Sequence, residues 1–97
     1  MQIKWSQRAR ADLLAIVDYI DLDNPVAARA VLQTIRKRAA DLKNQPDIGR
    51  AGRVAGTREL ILARYDYLLV YRRGRKTVEI QRVLHQRQQW PIEKDRG

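Results

Sequence analysis

The stretch from Arg58 to Trp90, RELILARYDYLLVYRRGRKTVEIQRVLHQRQQW, decides the fold. Three runs in it have strand character: Arg58–Ala63, Tyr65–Arg72 and Lys76–Leu84. Their Val, Ile, Leu and Tyr side chains suit a pleated, half-buried surface. Arg73-Gly74-Arg75 separates the last two runs, and Gly74 can supply the positive φ of a tight hairpin. Arg64 marks the first reversal. The reading is a meander of three antiparallel strands with cationic turns. In the second run Tyr65, Tyr67, Leu69 and Tyr71 share one face, while Asp66, Leu68, Val70 and Arg72 share the other. Both faces are partly apolar, so this strand is expected to be central. One face receives helices and the other keeps exposed apolar area for something else to cover. In the third run Val78 and Ile80 are in phase but the next apolar residue is Val83, which predicts a bulge near Gln81-Arg82.

Upstream, Gln2–Trp5 alternates as a short edge strand should, and Ser6 is a candidate N-cap. Ala9, Leu13, Ile16, Val17 and Ile20 recur at helical spacing and predict a helix over Gln7–Ile20, with Arg8, Asp12, Ala15 and Tyr19 toward its other side. Asn24-Pro25 then opens a second helix, because a proline at the first helical position loses no hydrogen bond. Its stripe of Ala28, Val31, Leu32, Ile35, Ala39 and Leu42 runs to about Lys43. Two such helices joined by a short connection form an antiparallel hairpin, and the sheet supplies the partner for their stripes. Pro46–Gly56 reads as a connecting loop carrying Arg50 and Arg53. It lacks the Lys-Ser/Thr ending of a phosphate-binding loop. The fold class is therefore α+β: a short N-terminal strand and a helical hairpin packed on a three-strand meander. It forms a single domain over residues 1–97, with 91–97 as a flexible tail.

The net charge of +9 is unevenly spread. Residues 1–49 carry a net of +2, residues 50–87 a net of +7, and residues 88–97 none. A basic sheet and loop favour an anionic partner, nucleic acid or an acidic protein. The absence of Cys removes disulfides and thiolate metal sites and suits a cytosolic protein. No secretory signal is visible at the N-terminus. No apolar run approaches the roughly 20 residues needed to span a bilayer, so no membrane partner is expected.

The order of elements, together with TREL (57–60), YLLVYR (67–72) and VEIQRVLHQRQQWP (78–91), resembles the RelE/ParE superfamily of bacterial toxin–antitoxin modules. The resemblance covers nearly the whole chain. It implies a cytoplasmic toxin without metal or cofactor, wrapped by a cognate antitoxin through which the complex could bind operator DNA. RelE-like members cut messenger RNA on the ribosome, and ParE-like members poison DNA gyrase without known hydrolytic chemistry. Metal-free RNA cleavage needs a base, a fixed cation and an acid close together. Where RelE-like nucleases typically carry Arg before the apolar pair of the second meander strand, this chain has Leu68. Where they tend to place a basic residue beyond the last strand, it has Gln86, with His85 one position early. Leu at the Leu68 position and the closing VLH-x-R-x-x-W-P are typical of the ParE-like branch. That branch implies DNA gyrase as target, met by Arg64, Arg72, Arg73, Arg75, Arg82 and Arg87, with Trp90 as an anchor. The alternative is a ribosome-dependent endoribonuclease acting on messenger RNA, with Arg58, Arg82, His85 and Arg87 as its catalytic set. A third reading is a non-toxic antitoxin-binding co-repressor. It has the least support, because no helix-turn-helix with a basic recognition helix is apparent.

Overall fold

Ser6 both ends the first strand and starts the first helix. Its hydroxyl accepts a hydrogen bond from Ala9 N at 3.0 Å and donates one to Gln81 O at 3.0 Å. Such a cap stabilises a helix by about 1 kcal/mol. The computed structural model describes residues 1–87, and the expectations for Trp90 and the 91–97 tail lie outside the described residues. The elements are β1 (Gln2–Trp5), α1 (Gln7–Asp21), α2 (Pro25–Asp41), β2 (Arg50–Ala51), β3 (Arg58–Leu62), β4 (Tyr67–Arg73) and β5 (Thr77–His85). Asn24 caps α2 by accepting from Ala27 N at 3.0 Å, with Pro25 in the first turn.

The expected meander forms the centre of a larger mixed sheet with strand order β1-β5-β4-β3-β2. β1 pairs in parallel with β5, and the other pairings are antiparallel. β4 is the middle strand, as its two apolar faces demand. β2 was not expected. Two residues are too few for an alternation to show, and Arg50 and Ala51 pair with Glu59 and Arg58 only because the loop folds back.

Three local details differ from the sequence reading. The first reversal is a short 3-10 turn over Ala63–Tyr65, closed by Asp66 at φ 59°, so β4 begins at Tyr67 rather than Tyr65. Asp tolerates this left-handed conformation better than most residues. Gly74 does not use a positive φ. The positive-φ glycine is Gly56, and the β4–β5 turn closes through Gly74 N to Thr77 O at 2.8 Å. Helix α2 ends at Asp41, and the backbone continues as turns that bury Leu42.

The core between sheet and hairpin joins Val31, Ile35, Ala39 and Leu42 to Leu60, Leu69, Tyr71, Val78 and Ile80. Burying a side chain such as Ile35 is worth about 1.5–3 kcal/mol. On the sheet's other face Leu68, Val70 and Leu84 form a second cluster, each at most 1% exposed. The apolar area expected to be open there is buried.

The predicted bulge is present. Tyr71 faces Ile80 and Val70 faces Arg82, which leaves Gln81 as the extra residue. A bulge frees backbone groups from the ladder, and they need other partners. The Ser6 hydroxyl takes the Gln81 carbonyl. Asp12, on α1, accepts from Val83 N at 2.9 Å and from Arg82 Nε and Nη2 at 2.8 and 3.2 Å. Asp12 therefore faces the sheet rather than the side assigned by spacing. Removing one member of so enclosed a pair leaves a charge and a backbone donor unsatisfied. Asp12→Ala is expected to cost about 2–4 kcal/mol in urea unfolding at pH 7. Asp12→Asn keeps an acceptor for Val83 N and should cost less.

Candidate functional site

The cationic residues singled out in the sequence separate into three places. Arg72, Arg73 and Arg75 lie at the end of the sheet that holds the β4–β5 turn. Arg64, His85 and Arg87 lie at the opposite end, beside the start of β4 and the end of β5. Arg82 lies between them, 7% exposed and held by Asp12, so it offers almost no surface to a target.

The first end is built around Tyr71 and Glu59. Tyr71 is fully buried; its hydroxyl accepts from Gly49 N at 3.0 Å and donates to Pro46 O at 2.8 Å. A Cβ on Gly49 would lie 2.7 Å from that hydroxyl, which explains the glycine. Arg58 also holds this loop. Its guanidinium donates to Gly49 O at 2.9 Å and Asp47 O at 3.2 Å. The Asp47 carboxylate in turn pairs with Arg73 at 3.2 Å and with Arg58 at 3.6 Å. Arg58 is thus engaged in holding Pro46–Gly49 against the sheet.

Glu59 is not a surface partner of Arg58, as adjacency alone suggests. Neighbours on a strand point to opposite faces. The Glu59 side chain is fully buried, bonded to Arg50 at 3.1 Å and to Arg53 N at 2.9 Å, with the Arg53 guanidinium at 3.6 Å. One buried carboxylate thereby fixes two exposed arginines. Arg72 donates to Ala55 O at 3.3 Å and passes so close to Gly56 that a Cβ there would collide with it. Arg50, Arg53 and Arg72 therefore converge on one loop.

At the opposite end His85 meets Tyr67 edge-to-face, with ring centroids 5.5 Å apart and planes at 84°. Its Nδ1 lies 3.1 Å from Arg87 N and accepts from it. Both rings line a cleft of about 440 Å³ with Asp12, Ile16, Tyr19 and Val83. Burial, and secondarily Tyr19, push the Tyr67 hydroxyl above its usual value. Arg64 lies over the Tyr65 ring at 5.3 Å, a cation–π contact.

The alternative catalytic set does not converge. Arg58 is opposite Tyr71 and His85 is opposite Tyr67, four residues apart along β4. At about 3.4 Å per residue that separates them by roughly 14 Å along the strand. Arg82 is bound to α1. Among the described residues no cluster of three His, Cys, Asp or Glu side chains could hold a metal ion. The sequence reading did not single out Tyr71, Asp12 or the role of Glu59. A lone acid amid arginines was the available signal for Glu59, but nothing local showed that it is buried.

Burial raises the Tyr71 hydroxyl above its usual value, although the Gly49 hydrogen bond and Arg58 pull it down. The unfolded chain loses that proton near pH 10, while the folded chain holds it longer. Its stabilising contribution is complete below pH 10 and drains away as pH rises through the folded-state value. Tyr71→Phe is expected to lower stability by about 1–3 kcal/mol at pH 8, because Gly49 N–H and Pro46 C=O lose their partner. The variant should also decline less between pH 9 and 11 on the scale set by tyrosine ionisation near pH 10. Urea unfolding of both proteins across that range measures the difference.

Comparisons with known proteins agree with this architecture. The family model for the ParE toxin of the type II toxin–antitoxin system, parDE, matches residues 3–90. The chain is 43% identical over 90 residues to the "Putative toxin Y4kP" of Sinorhizobium fredii, covering 93% of each protein. It is 36% identical over 84 residues to "Toxin RelE2" of Caulobacter vibrioides, covering 87% of this chain and 93% of that one. Among solved structures it resembles a chain of the chromosomal ParDE system of P. aeruginosa at a TM-score of 0.79 and 31% identity, over 88% of this chain and 95% of that chain. It also resembles a chain of the RelBE2 toxin–antitoxin complex of Mycobacterium tuberculosis at a TM-score of 0.65 and 29% identity, over 87% and 95% of the two chains. With the family model spanning nearly all of a sheet and hairpin of this form, the chain belongs to the ParE toxin family of type II toxin–antitoxin systems, within the RelE/ParE superfamily.

Proposed function

We propose that this toxin acts in the cytoplasm on DNA gyrase, and that a cognate antitoxin neutralises it. The observation that carries the choice of target is the burial of Leu68. It is 1% exposed, faces Leu84 across the ladder and packs with Val70. At this position the RelE-like nucleases that the chain resembles present Arg. Here a dry apolar cluster replaces the cation that phosphorane-like charge would require. The dispersal of Arg58, Arg82, His85 and Arg87 supports the same reading, since acid–base chemistry needs groups within hydrogen-bond reach of one substrate. The exposed cations Arg64, Arg72, Arg73, Arg75 and Arg87, with Trp90 beyond them, are the proposed contacts to the target. Arg82, buried beside Asp12, is not among them.

Two parallel assays test the reading. The purified chain should stop supercoiling by gyrase, or cause cleaved DNA to accumulate, and should leave messenger RNA intact in a translating extract. Ribosome-dependent cleavage together with unaffected gyrase would falsify it. Leu68→Arg should not confer nuclease activity, because the other positions remain unsuited. Placing an unpaired guanidinium among Leu84 and Val70 should instead destabilise the fold by about 2–4 kcal/mol, read by thermal or urea unfolding.

A further inference from the structure

The two ends of the sheet differ in charge as well as in chemistry. The end with the β4–β5 turn gathers Arg50, Arg53, Arg72, Arg73, Arg75 and Lys76. Together with Arg58 these oppose Asp47, Glu59 and Glu79, a net of +4. Two of the three carboxylates anchor rather than screen: Glu59 is buried beneath Arg50 and Arg53, and Asp47 sits between Arg58 and Arg73. At the other end the tip of the helical hairpin is acidic. There Asp12, Asp18, Asp21, Asp23 and Asp66 oppose Arg64, Arg82 and Arg87, a net of −2, and Tyr19 lines the cleft with Tyr67 and His85. The molecule is thus an electric dipole directed roughly along its strands.

The exposed surface follows the same division. Among the described residues the large exposed apolar side chains are Leu14, Tyr19, Leu22, Val26 and Ile48, and four of the five lie on the helical hairpin. The basic end carries no exposed aromatic side chain among the described residues. Protein interfaces are anchored by buried aromatic or apolar side chains, and unpaired bases are held by aromatic stacking. At this end Ile48 is the one large apolar side chain exposed among the described residues, and no aromatic accompanies it. What is present is a set of guanidinium groups, most of them held by loop carbonyls and carboxylates, which suits phosphate oxygens.

We infer that this end binds the phosphodiester backbone of duplex DNA directly, without reading bases, while the hairpin end points away from it. The inference goes beyond the gyrase reading and does not depend on it, since no gyrase is needed for the contact. The dipole orients the chain as it approaches a polyanion, basic end first. A net of +4 at this end corresponds to about four neutralised phosphates, hence a slope of log K against log salt of about −3 to −4.

The test is fluorescence anisotropy of the full chain on a labelled 20-base-pair duplex of arbitrary sequence, from 50 to 200 mM salt. Affinity should fall about 10²-fold across that range, with little dependence on sequence. Arg72→Gln, Arg75→Gln and Lys76→Gln combined should flatten the slope by about 2–3. Arg75→Gln alone, at an exposed turn, should flatten it by about 1 and guards against misfolding of the triple variant. A control triple with the same charge change on the helices, Arg10→Gln, Arg29→Gln and Arg36→Gln, should leave the slope nearly unchanged. Absence of binding at 50 mM salt overturns the inference, and so does an equal effect of the control triple, which would reduce the binding to bulk charge. Tighter binding to single strands than to duplex overturns the assignment to duplex backbone. Displacement of the duplex by polyglutamate at lower charge concentration overturns it in favour of an acidic protein. Because gyrase is absent from every arm, failure here is distinguishable from failure of the gyrase reading.

Discussion

The Asp12 carboxylate is the constraint on which much of this fold depends. Three donors converge on it, two from the Arg82 guanidinium and one from Val83 N. Both residues follow the bulge at Gln81, beyond the last pair that β1 makes with β5. The bulge is needed because β5 changes phase between Ile80 and Val83, and only the shifted register aligns Leu84 with Leu68. A helix-borne acid therefore stabilises a strand irregularity, and that irregularity allows apolar residues on both faces of β5 to be buried. The Ser6 hydroxyl on Gln81 O acts in the same place, so the start of α1 is tied to the bulge at two points. Charge-assisted bonds in a poorly solvated crevice are stronger than their surface counterparts. The same enclosure makes the loss of one partner damaging.

Local patterns in the sequence were enough for the helices, the three long strands and the bulge. Each rests on a period: 3.6 for Ala28, Val31, Ile35 and Ala39, and 2 for Leu69 and Tyr71 against Leu68 and Val70. The slip at Gln81 was legible because it breaks that period. What stayed hidden depends on distant contacts. β2 has no pattern of its own and exists because Glu59 draws Arg50 and the Arg53 amide inward. Asp12 looked like a solvent residue because its partner lies seventy residues away in sequence. The candidate site divided in the same manner. The sequence located the charge in residues 50–87, yet it could not separate arginines engaged within the fold, Arg58 with a loop and Arg82 with α1, from those left exposed, such as Arg75. That separation follows from which carbonyls and carboxylates lie within hydrogen-bond reach.

Tyr71 and Glu59 lie on adjacent strands but on opposite faces, because Tyr71 is opposite Arg58 and Val70 is opposite Glu59. Each ties a segment of the 46–57 connection to the sheet, Tyr71 through Pro46 and Gly49, Glu59 through Arg50 and Arg53. The connection is thus clamped from both sides of the sheet, and its guanidinium groups are presented from a braced backbone. A mobile loop would lose conformational freedom on meeting a partner, which costs about 1–2 kcal/mol per residue ordered. A pre-braced one avoids most of that loss. Three glycines in this connection therefore do not imply slackness. Gly49 admits the Tyr71 hydroxyl and Gly56 takes a φ of 83°, so each of these two glycines meets a specific geometric demand.

The two faces of β4 also bear on the chemistry open to this fold. A nuclease built on the same sheet would need cations at the centre of the second face, where substrate phosphate and fixed charge could meet. Leu68 and Leu84 close that position with an apolar contact, and Glu59 lies opposite Val70 on β3 with its charge already satisfied. Introducing a guanidinium at Leu68 alone would bury a charge without a counter-ion and break the cluster, an effect measured in kcal/mol rather than tenths. Recovering a catalytic surface would require coordinated change at Leu68, Val70 and Leu84, because the three are buried as one cluster. The central face is therefore committed to stability. The exposed positive charge lies instead at the ends of the strands, as at Arg72, Arg73 and Arg75.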